Sequence, residues 1–243
     1  MARIKGVAAR GPRARLIYYF TRRSLGRLAG RETERMLEPL RMLAHSPALL
    51  GAYAKLEQAT AGLHRVDKRL SDLAELKAAT LVSCEYCIDL GSQVARRRSG
   101  LSDEQLLALP RYRDSELFTD TEKLVLDYAV GVSRTPVDVP GELFARLREQ
   151  FDDAQLVELS YVIALENLRG RFNLALGVGS AGFSDGMVCA LPDRPSAEAE
   201  DGGQVAEHGH GGGQGHAERG TVALVPHERG TGDRGGEDRG QAD

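Results

Sequence analysis

Apolar residues recur at helical spacing from about Arg13 to Gly177, and no run alternates with period two and β-branched enrichment for long enough to make a sheet. The pattern predicts helices over roughly 13–28, 32–44, 47–60, 67–82, 84–98, 102–109, 119–133, 140–150 and 152–176, the last kinked near Gly170. Thr119 with Glu122 and Ser102 with Gln105 have capping-box spacing, so each marks a helix start. Pro110, Pro136 and Pro140 fall where helices should stop or begin, because proline has no N–H for a helix interior. After Pro140, the residues Leu143, Phe144, Leu147 and Phe151 form one apolar face. The fold class is therefore all-α. Leu73, Glu75, Leu76 and Cys84 reappear at a constant offset as Leu156, Glu158, Leu159 and Asn167, a weak repeat that raises pseudo-symmetric halves as an expectation.

Composition divides the chain into three parts. Nine basic residues, from Arg3 to Arg31, precede the first acid, Glu32. Residues 1–34 are read as a basic helical segment with a solvated outer face and a docked apolar one. Residues 35–191 form the expected globular domain. From Pro192 to Asp243 large apolar side chains nearly vanish among Gly, Glu, Asp, Arg, Ser and His. Such a segment cannot bury enough surface to offset its ordering entropy, so 192–243 is expected to be a disordered tail. Its His208, His210 and His216 lie among glycines that pre-organise no metal site. The net charge of −3 makes no global case for nucleic acid. The short apolar cluster Leu16 to Phe20 is too brief for a secretory core, and no stretch has the roughly 18 apolar residues of a membrane span. A cytoplasmic location is the expectation, and three cysteines, two of them in a CxxC, fit a reducing compartment.

The chemistry concentrates at Cys84-Glu85-Tyr86-Cys87. Thiols three residues apart lie about one helical turn apart, close enough to close a disulfide and reopen it. One thiolate can attack an electrophilic oxygen or sulfur, and its neighbour can resolve the product. Half of a zinc site and two inert buried thiols are the competing readings. Zinc needs four ligands, while Cys189, His45 and His64 are scattered. A helix start at the motif favours Cys84 as the better thiolate.

An acid-bearing helix, Asp72 to Ser83, leads into this motif, and Gly100-Leu101-Ser102 and the stretch Glu122 to Leu126 follow. With these features the chain resembles the carboxymuconolactone decarboxylase and alkylhydroperoxidase D-like family over about 35–180. The resemblance implies an alkylhydroperoxidase D-like helical bundle assembling as a homo-oligomer, trimer or hexamer. It also implies a thiol-dependent peroxidase in which Cys87 attacks the hydroperoxide, Cys84 resolves it, and a dithiol reductant protein returns the electrons. The family's proton relay uses a glutamate twelve residues before the first cysteine and a histidine four after the second. Those positions hold Asp72 and Gly91 here. Aspartate keeps a carboxylate on a shorter arm, but glycine moves no proton. Glu75, one turn beyond Asp72, is the leading substitute, with Glu85, Tyr86 and Asp89 beside the thiols. Glu166, Asn167, Arg169, Arg171 and Asn173 are a second polar concentration, explained equally by a pocket, an interface or a buried network. Two other functions compete: a noncatalytic redox sensor or assembly module, and a decarboxylase-type lyase, whose members generally keep the histidine and lack the dithiol. No nucleic-acid partner, metal or organic cofactor is expected.

Overall fold

The computed structural model describes residues 2–193, and among them it shows α-helices joined by short turns and no strand. In chain order these are α1 (Gly11–Ala29), α2 (Glu38–Leu43), α3 (Pro47–Ala61), α4 (Lys68–Leu81), α5 (Glu85–Ser99), α6 (Asp103–Ala108), α7 (Asp120–Ser133), α8 (Gly141–Gln150) and α9 (Asp153–Leu176). Both expected capping boxes are present, and Asp152 with Gln155 makes a third at the start of α9. α4 is the centre of the bundle and packs against α5, α7 and α9. Its Leu73 and Leu76 face one apolar cluster, shared with α1, α2 and α5, while its Ala74 and Ala78 face another, shared with α7 and α9.

Three departures from the sequence reading have local causes. The helix expected over 32–44 shrinks to α2, because Pro39 is compatible only with a first turn and would clash with the carbonyl one turn earlier. After α6 the chain continues as a 3₁₀ turn, Leu109–Asp114, opened by Pro110. α9 runs unbroken through Gly170, where no kink forms. Glycine serves close approach there: a Cβ would lie 2.5 Å from Val82 Cγ2 and 3.4 Å from Cys84 Cβ. The residues of the sequence repeat are put to different uses, since Glu158 accepts from the backbone N–H of Arg65 at 2.8 Å and Asn167 donates to Ser133 Oγ at 2.9 Å.

The basic segment folds onto the body. α1 docks Ala14, Ile17, Tyr18 and Leu25 against the core, and Arg13, Arg15, Arg22, Arg23 and Arg27 remain on its exposed face. The stretch after α9 is strapped down by the buried carboxylate of Asp89 on α5. That carboxylate accepts from the N–H groups of Ala181, Gly182, Phe183 and Ser184 at 2.6–3.0 Å and from the Ser180 hydroxyl. The strap reaches Asp193, which pairs at 2.6 Å with Lys77, a lysine 1% exposed whose ammonium also sits over the Tyr112 ring. Burial lowers the Lys77 pKa, and Asp193 opposes that shift. Asp193 therefore still touches the body, whereas the tail with His208, His210 and His216 lies outside the described residues. Among the described residues, no helix is long and apolar enough to cross a membrane.

Candidate active site

The turn from α4 to α5 builds the dithiol. Ser83 takes the left-handed conformation (φ 55°), its N–H bonds to the Thr80 carbonyl, and the Cys84 N–H bonds to the Ala79 carbonyl. This pair of bonds is the Schellman arrangement, with serine where glycine is usual. It reverses the chain so that Cys84 becomes the N-cap of α5, its Sγ accepting from the Cys87 N–H at 3.3 Å. Both sulfurs thus sit at the positive end of a helix, where a thiolate is stabilised. Cys84 and Cys87 are joined as a disulfide, with Cα atoms 5.2 Å apart. The Asn173 amide of α9 lies 3.7 Å from each sulfur. Cys84 is wholly buried, whereas Cys87 lines an open cavity of about 720 Å³ bordered by α1, α2, α3, α4, α5 and α9.

Apolar side chains such as Leu25, Leu50, Leu76 and Phe172 line most of this cavity, and its polar groups are clustered. Arg169 clamps both oxygens of Glu57 at 2.8 and 2.9 Å, and its Nη1 is shared between Glu75 at 3.1 Å and Glu166 at 3.0 Å. Burial raises the pKa of Glu75 against the pull of Arg169, and burial pushes Glu166 up to about 7. Burial likewise raises the neighbouring Tyr53 phenol, so it stays neutral.

The sequence-predicted residues separate in space. Cys87 and Glu75 line one cavity, with Cys84 bonded to Cys87 behind its wall. Asp72 borders it as well, but its carboxylate is held by Arg98, through Nε at 2.9 Å and also through Nη2, and by the Ser99 hydroxyl. Gly91 faces the cavity with Leu76 Cδ1 3.2 Å from where a Cβ would stand, so the family's histidine position opens onto the site and carries nothing. Of the substitutes beside the thiols, Tyr86 donates to the Met36 carbonyl at 2.6 Å and Asp89 holds the strap. Cys189 is a free thiol against Ser92 and the Ile88 carbonyl. His45 and His64 each meet a backbone carbonyl, and no cluster of three potential ligands is placed to hold a metal among the described residues.

The second polar concentration is sorted by helix face. Glu166, Arg169 and Asn173 stand at i, i+3 and i+7 and look into the cavity, while Asn167 and Arg171 turn to Ser133 and Thr135. That spacing was the available signal for the first three. Glu57 has none in the sequence, since only the packing of α3 brings it to Arg169.

The family model for the carboxymuconolactone decarboxylase family matches residues 47–130, spanning α3 to most of α7. An uncharacterised protein of Escherichia coli (strain K12), YnjA, is 37% identical over 131 residues, covering 54% of this chain and 69% of that protein. The chain belongs to the carboxymuconolactone decarboxylase family. Its fold recurs in solved structures. The debrominase Bmp8 in its apo form superposes with a TM-score of 0.61 at 18% identity, over 70% of this chain and 89% of that one. An alkylhydroperoxidase AhpD core, an uncharacterised peroxidase-related protein from Ralstonia eutropha JMP134, superposes with a TM-score of 0.60 at 18% identity, over 75% and 94% of the two chains.

Proposed function

We propose that this family member is a thiol-dependent peroxidase that reduces organic hydroperoxides with the Cys84–Cys87 dithiol. The observation that carries the reading is the asymmetry of the pair: Cys87 borders the cavity and Cys84 is sealed behind it. That arrangement suits Cys87 as the attacking thiol and Cys84 as the resolving one, the same roles the family resemblance gave. In the reduced protein the Cys87 sulfur attacks the peroxide, the O–O bond breaks, and sulfenic acid and an alcohol form. Cys84 then displaces water from the sulfenic acid, leaving the disulfide seen here. A dithiol reductant protein restores the thiols, and the working form is a homo-oligomer in the cytoplasm. Glu75 rather than Asp72 is the relay carboxylate, because Asp72 is already held by Arg98 and Ser99.

Gly91 favours one second reading, a redox sensor whose dithiol is oxidised without efficient turnover. Steady-state rates with a panel of hydroperoxides and dithiol donors separate the two. Repeated turnover that Cys87→Ser abolishes supports the peroxidase. Oxidation that stops after one equivalent with every donor supports the sensor.

A further inference from the structure

The cavity contains more carboxylates than its one guanidinium can balance. Glu57 of α3, Glu75 of α4 and Glu166 of α9 all bind Arg169, and with all three ionised the cluster would carry an excess of two negative charges on a mostly apolar cavity wall. Like charges that share so small a site retain a proton between them. Glu166 is placed to hold it. Its Oε2 accepts from Arg169, while its Oε1 is buried with no hydrogen-bond partner, and the residue lines the cavity only 6% exposed. A protonated Oε1 is a donor and an ionised one an acceptor, and no protein group satisfies it in either form.

We propose that Glu166 takes the histidine's part in the proton relay of the dithiol cavity, which Gly91 cannot, beside Glu75 in the carboxylate's part. The inference rests on the peroxidase reading and deepens it. Glu166 stands two helical turns from Asn173, whose amide touches both sulfurs, a separation of about 10 Å along α9. Protons therefore pass between Glu166 and the sulfurs through water in the cavity. The ionised carboxyl takes the proton that leaves the Cys87 thiol as the S–O bond forms. It returns that proton to the alkoxide released when the O–O bond breaks. In the resolving step it carries the Cys84 proton to the departing hydroxide, so water leaves and no net proton is consumed.

Glu75 of α4 is also raised by burial, yet its side chain is 26% exposed where that of Glu166 is 8%, so Glu166 is the more strongly desolvated of the two; the remaining groups do not compete near neutral pH. Tyr53 of α3 and Tyr86 of α5 are pushed toward their neutral forms, chiefly by burial. Arg169 stays charged, as its three carboxylates outweigh the opposing effect of burial. Asp72 and Arg98, also on the cavity wall, neutralise each other. The position of Glu166 near 7 supports the assignment, since a relay works best near the operating pH.

Two reactions of the pre-reduced full chain test this, because iodide leaves an alkylating agent without a proton and an alkoxide does not leave a hydroperoxide so easily. Glu166→Gln is expected to slow oxidation by cumene hydroperoxide about 100-fold and to erase the limb of its pH profile near 7. Alkylation of Cys87 by iodoacetamide above about pH 9, where a thiol ionises without a base, is expected to keep its rate, and Glu166→Asp to recover part of the hydroperoxide rate. If the wild type reacts with hydroperoxide and Glu166→Gln matches it across the pH range, the relay is refuted and the peroxidase reading stands. If the wild type itself does not react, both fall. Carbon-13 NMR of glutamate-labelled wild type gives a check independent of any variant. One carboxyl titrating near 7 is expected, and all glutamates titrating near their ordinary value of 4.5 would overturn the proposal.

Discussion

Replacing Glu166 by glutamine should change how stability depends on pH. The carboxyl titrates at its ordinary 4.5 in the unfolded chain and at about 7 when folded, because burial resists its charge. Below about pH 4.5 it is protonated in both states and costs nothing. As pH rises from there to about 7, the unfolded chain releases the proton and the folded one retains it, so folding becomes less favourable. At about 1.4 kcal/mol per pH unit, the interval amounts to about 3 kcal/mol lost by pH 8. Glutamine has no proton to release. Urea denaturation of both proteins at about pH 5, 6, 7 and 8 should show the wild type losing about 2.5 kcal/mol relative to Glu166→Gln across that range. Parallel pH dependences would refute the reasoning, and so would a wild type that gains on the variant as pH rises.

Other substitutions probe the supports of the site. Asp89→Ala removes the acceptor of four backbone N–H groups and should cost about 3–5 kcal/mol in urea denaturation, with the 178–193 segment becoming the first site of limited proteolysis. Gly170→Ala drives a methyl to within 2.5 Å of Val82 Cγ2; a loss of about 1–3 kcal/mol in thermal unfolding is expected, and no loss would mean that α9 does not press on the dithiol turn. Asp72→Asn leaves Arg98, itself a third exposed, without its counter-charge, so about 2 kcal/mol of stability should be lost at neutral pH as measured by urea denaturation.

Most of the bundle was legible in the sequence because capping and apolar spacing are local properties. Ser102 with Gln105 and Thr119 with Glu122 start helices where expected, since the caps bond within the same four residues. The misread α2 start and the 3₁₀ turn after α6 both hinge on proline, whose effect depends on how far into a helix it falls. The dithiol was equally plain from its spacing. The missing histidine was visible too, but the carboxylate proposed in its place was not. Glu75 and Asp72 look interchangeable on one helix, and only Arg98 and Ser99 from the end of α5 tell them apart. Glu166 and Arg169 stood out as polar residues in a packing helix, yet their sharing of one guanidinium with Glu57 arises from the contact between α3 and α9. Information of that kind resides in tertiary structure.

The most direct test of the dithiol chemistry is mass spectrometry of the reduced full chain after one equivalent of cumene hydroperoxide. Formation of an intramolecular Cys84–Cys87 disulfide, reversed by a small dithiol, is the expected result. Both thiols remaining reduced in the folded protein would contradict the peroxidase assignment.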